Sequence, residues 1–86
     1  MAAVDKSMGG LGEPAIHAVA VTPSDADELA TVSRALYIGG AGNVVVVTYG
    51  GDTVTLVGAT AGQIIPIRVK QVKATSTTAT SIVSLY

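Results

Sequence analysis

The chain has 86 residues, of which 49% are hydrophobic and 13% charged; the net charge is −1, and there is one histidine and no cysteine. These values hold the chain to one domain and exclude disulfides, thiolate metal sites and an imidazole cluster within one chain. They also exclude a basic field for neutralising phosphates, and three tyrosines are too few for a base-stacking platform.

Met1 to Pro14, "MAAVDKSMGGLGEP", has four glycine or proline residues and no apolar periodicity. A flexible arm over 1–14 and a single domain over 15–86 are therefore expected. The arm lacks the cationic start and apolar centre of a secretory signal, and no apolar run approaches the ~20 residues of a membrane span. Assembly inside a cell, without membrane insertion, is expected.

"AIHAVAVT", Ala15 to Thr22, reads as a first strand. In "TPSDADELA", Thr22 or Ser24 can cap a short helical turn, with Asp25, Asp27 and Glu28 near its positive end. These acids lack the length and spacing of an EF-hand loop, so no calcium site is read there.

From Arg34 onward the pattern is all strand: "RALYI", "NVVVVTY", "TVTLV", "IIPIRVKQVKA" and "SIVSLY". The intervening "GGAGN", "GGD" and "GATAGQ" read as glycine turns, because they lack the lysine and helix of a phosphate loop. About six short strands with close turns predict an all-β fold, a small antiparallel sandwich or barrel.

Four consecutive valines, Val44 to Val47, imply a strand that is dry on both faces. A two-residue loop at Gly50-Gly51 or Gly51-Asp52 places Val45, Val47, Tyr49, Val54 and Leu56 on one face, the stronger core candidate. Val44, Val46, Thr48, Thr53, Thr55 and Val57 then form a second, uncharged face that needs a cover. Either a second sheet of the same chain or a neighbouring subunit can supply it. A three-residue loop would scramble this assignment.

Farther on, Val72 falls out of phase with Ile65, Ile67 and Val69, which predicts a bulge near Gln71. Pro66 marks a sheet edge or bulge. Arg68, Lys70 and Lys73 form a basic stripe that is either solvated or salt-bridged to a partner's acids, such as Asp25 or Glu28 of a neighbour. His17 has no nucleophile motif around it. No catalytic, cofactor or metal residues emerge, and a binding or structural module is expected rather than an enzyme.

"VTPSDADEL", "SRALYIGGAGNVVVVT", "GGDTVTLVGATAGQIIPIRVKQV" and "ATSTTATSIVSLY" together resemble the head-spike base proteins of gene transfer agents and related tailed bacteriophages. The resemblance runs from Ala15 to Tyr86 in order, and the combination of "RALYIGGAG", "AGQIIPIRV" and "TTATSIVSLY" carries its specificity. It implies a structural particle component on the head surface, assembled in the host cytoplasm as a homo-oligomer, a pentamer at fivefold vertices. The implied partners are the major capsid protein and a spike fibre used in host attachment. Subunit-interface candidates are then Val44, Val46, Thr48, Thr53, Thr55 and Val57, and partner-contact candidates are Arg68, Lys70 and Lys73. The alternatives are a capsid cement or tail-tip protein, or a small carbohydrate-binding β-domain using Tyr37 or Tyr49.

Overall fold

The computed structural model describes residues 15–86; the arm expected over 1–14 lies outside the described residues. Seven strands follow in order: β1 (Ala18–Ala20), β2 (Ala35–Gly40), β3 (Gly42–Thr48), β4 (Thr53–Ala59), β5 (Gln63–Ile65), β6 (Val69–Val72) and β7 (Thr80–Leu85). They form two antiparallel sheets, ordered β1-β7-β2-β5 and β4-β3-β6. The all-β architecture is the expected one, with one strand more than the sequence suggests. Pro66 accounts for the extra strand: the run expected over Ile64 to Lys73 breaks there, leaving β5 in one sheet and β6 in the other.

No helix forms among the described residues. The expected turn after Thr22 is a bend, but the capping chemistry survives, since Ser24 Oγ accepts from the N–H groups of Ala26 (3.2 Å) and Asp27 (3.1 Å).

"GGAGN" is a corner and not a hairpin turn. Only Ala41 separates β2 from β3, and the chain crosses from one sheet to the other at that point. A Cβ on Gly39 would lie 2.6 Å from Ser81 Cβ and 2.7 Å from the Ser81 carbonyl oxygen. Glycine is therefore required by close backbone approach, where a turn would require it for positive φ.

Between the sheets, Leu36, Ile38, Val44, Val46, Ala59, Val69, Val72, Ala79 and Ile82 form the core. Burying each Val, Leu or Ile side chain contributes about 1.5–3 kcal/mol. The bulge on β6 occurs as expected. Val72 pairs with Val46 and Gln71 with Val47, but Thr48 pairs with Val69, so Lys70 is the extra residue. Val69 and Val72, three positions apart, thereby both reach the core.

The small polar run before β7 completes the ladder of β3. Asn43 N–H donates to Thr78 Oγ1 (2.8 Å) and Val45 N–H to Thr77 Oγ1 (3.0 Å), while the Thr78 and Ala79 N–H groups donate to the Asn43 carbonyl. The hydroxyls extend the β3 edge beyond the end of β6.

Candidate assembly surface

The β3–β4 hairpin closes through three residues, Tyr49, Gly50 and Gly51. Thr48 N–H donates to the Asp52 carbonyl (2.8 Å) and Gly51 N–H to the Thr48 carbonyl (2.9 Å). Gly51 takes φ +100°, which suits glycine at the last loop position. This loop pairs Val46 with Val54 and Val44 with Leu56, one residue away from the Gly50-Gly51 register and three from the Gly51-Asp52 register, an odd shift in both cases. Such a shift inverts the faces. Val44 and Val46 point into the core with no exposure, so they are withdrawn as interface candidates. Val45 and Val47 take the opposite face, also buried, with Thr55, Thr53 and Gln71 beside them in register. The valine run is therefore dry on both faces within one chain.

The remaining candidates fare differently. Thr53 and Thr55 are exposed, Val57 is 77% exposed, and Thr48 is half-buried with its hydroxyl accepting from Asp52 N–H at 3.0 Å. Thr53, Thr55 and Val57 all lie on β4, an edge strand. Inward-facing Val54 is 40% exposed for the same reason.

A partly exposed, uncharged face lies instead on the four-stranded sheet. Tyr37 pairs with Ile64 and Val83, Val83 with Ala20, and Leu85 with both Ala35 and Ala18. Register partners share a face, so these seven residues together form the outer surface of that sheet. None is charged; Ile64 is 56% exposed and Tyr37 38%. An antiparallel sheet normally turns polar residues to water, and a contiguous apolar patch marks an interaction surface. The signal for it, Ala35 and Tyr37 alternating with core-facing Leu36 and Ile38 in "RALYI", was visible in the sequence beside the longer valine run.

The three cations have partners within the chain. Lys70 Nζ lies 3.8 Å from Glu28 Oε2, and the Arg68 guanidinium stacks 5.1 Å from the centre of the Tyr49 ring. Lys73 adds an attractive charge near Asp25. The acids beside Lys70 and Lys73, Glu28 and Asp25, belong to the same chain. The Asp25 carboxylate accepts from the Thr75 hydroxyl and from the N–H groups of Thr75 (3.1 Å) and Ala74 (3.0 Å). These bonds, the Thr75 hydroxyl first, hold its pKa below the ordinary carboxylate value. Asp25 thus ties the 22–28 segment to the residues after β6. His17 packs against the Tyr86 ring, with centroids 5.2 Å apart.

Comparison with known proteins adds identity to this geometry. No family model matches the chain, and no curated protein does. Among solved structures, the chain is similar to one from the capsid of a native gene transfer agent particle computed with C5 symmetry. The identity is 38%, the TM-score 0.81, and the match covers 94% of each chain. The protein belongs to the family of that gene transfer agent particle chain. For a member of this family, an uncharged sheet face and an open edge strand are surfaces to be judged against assembly. Tyr37 lies on β2, and Tyr49 lies in the β3–β4 loop.

Proposed function

We propose that this protein is a non-enzymatic structural component of a gene transfer agent or related tailed-phage particle, and that it forms the base of the head spike. The near full-length similarity to a gene transfer agent particle chain carries the reading. The uncharged outer face of the four-stranded sheet supports it, because a chain this small gains stability by burying such a face against a partner. In this reading the protein sits on the head surface as a homo-oligomeric ring, a pentamer at each fivefold vertex. It docks on the major capsid protein there and carries the spike fibre that contacts the host. Assembly takes place in the host cytoplasm.

Gold-labelled protein on intact particles tests the placement, with label expected at head vertices alone. Label spread over the head would mean a cement protein, and label at the tail a tail-tip protein; either refutes the spike base. In the same particles, Ile64→Lys is expected to fold normally and to be lost from the head, since it places a charge on the apolar face.

A further inference from the structure

We infer that copies of this chain join head to tail by strand pairing, the β4 edge of one copy taking the β1 edge of the next. The inference rests on the ring proposed above and specifies its contact. Edge strands expose unpaired backbone groups, and proteins blunt them with charge, proline, short length or a cover. The β6 edge is covered: its Val72, Lys70 and Val69 carbonyls accept from the N–H groups of Ser24 (2.9 Å), Leu29 (2.7 Å) and Ser33 (3.0 Å). The β5 edge is three residues long and is followed by Pro66. β4 has seven residues, "TVTLVGA", with neither charge nor proline. β1 is extended as a ladder by the bonds of Ile16, His17 and Val21 to Tyr86 and Ile82.

Among the described residues these two edges are unpaired, and they lie on opposite sides of the sandwich. Leu56, Val57 and Ala59 of β4 share a groove with Gln63 and Ile65 of β5, and β5 is at the far end of its sheet from β1. Two different edges give a heterologous contact, which closes a ring when the rotation between successive copies closes.

The chemistry of the two edges matches in one antiparallel register. His17 exchanges both backbone bonds with Tyr86, so by alternation Ala18 and Ala20 turn their backbone groups outward. On β4, the Thr48–Asp52 bond and the Gly58 N–H bond to Asn43 Oδ1 leave Thr53, Thr55 and Val57 facing outward. Setting Ala18 opposite Thr55 brings Ala20 to Thr53, Ile16 to Val57 and Val19 to Val54. Ile16 (83% exposed) and Val57 (77%) are the two most exposed large apolar residues described, and this register places them together on one face. Val19 (48%) and Val54 (40%) meet on the other, beside the core.

Cysteine cross-linking of the full chain tests this, since the native sequence has no cysteine. Val19 and Val54 would form a non-hydrogen-bonded pair, whose ~4.5 Å Cα separation a disulfide spans. Under oxidation the V19C/V54C double variant is expected to give a ladder of covalent oligomers on a non-reducing gel. Mixed single variants should give dimers only. Thr55→Pro removes an outward N–H and no internal bond, so it should abolish the oligomer in light scattering while the far-UV circular dichroism is unchanged. Dimers from V54C alone would mean that β4 pairs with β4, and would overturn the inference. A wild-type ring with no V19C/V54C cross-link and an unaffected T55P would overturn it while leaving the ring standing. A monomeric wild type at high micromolar concentration would overturn both.

Discussion

Replacing Val46 by alanine removes two carbons from a side chain with no exposure, held between β4 and β6 and facing the opposite sheet. The lost transfer free energy is about 1.6 kcal/mol at ~0.8 per carbon, and the residual cavity adds on the order of 1 kcal/mol. A destabilisation of roughly 2–3 kcal/mol follows, against a total of about 4–13 kcal/mol for a domain of this length. The melting temperature should fall by roughly 10–20 °C. Val57→Ala, at a residue 77% exposed, should change monomer stability by less than about 0.5 kcal/mol. Urea unfolding followed by circular dichroism at two protein concentrations separates these effects. The Val46→Ala loss should be the same at both, whereas any Val57→Ala loss should appear only where the protein is assembled. Equal small losses for both variants, or a Val57→Ala loss independent of concentration, would refute the three-residue loop and the face assignment built on it.

Gly39→Ala places a Cβ against Ser81, including its backbone oxygen at 2.7 Å, and should cost about 1–3 kcal/mol in urea unfolding by forcing the β2–β3 corner apart. The Asp25 pKa is lowered in the folded state. Its contribution is therefore present above the unfolded pKa, near pH 4, and is lost as pH falls through the lower folded value. Asp25→Asn should remove that part of the acid limb in unfolding curves taken between about pH 2 and 5. A double-mutant cycle on Lys70 and Glu28 should return no more than about 0.5 kcal/mol, because both side chains are a third exposed and 3.8 Å apart.

Local pattern was enough to read the strands. Short apolar runs bounded by glycine turns or small polar stretches placed β2, β3, β4 and β7, and the phase slip between Val69 and Val72 announced a bulge because both side chains must reach one core. Family resemblance likewise lay in the residues themselves, and the match to a gene transfer agent particle chain agrees with it at that level.

What the local pattern could not decide was phase across a connection. Alternation has a period of two, so one extra residue between Thr48 and Asp52 turned Val44 and Val46 inward and Val45 and Val47 outward. Nor does alternation reveal whether a glycine run is a turn or a corner; the approach of Ser81 to Gly39, 42 residues apart in sequence, decides that. Residues distant in the chain also supply Lys70 with Glu28 and Asp25 with Thr75. The sequence by itself determined that the valine strand β3 must be dry on both faces. Only the packing of one sheet on the other determined which faces the chain covers and which it leaves open, because burial depends on every element that meets a residue.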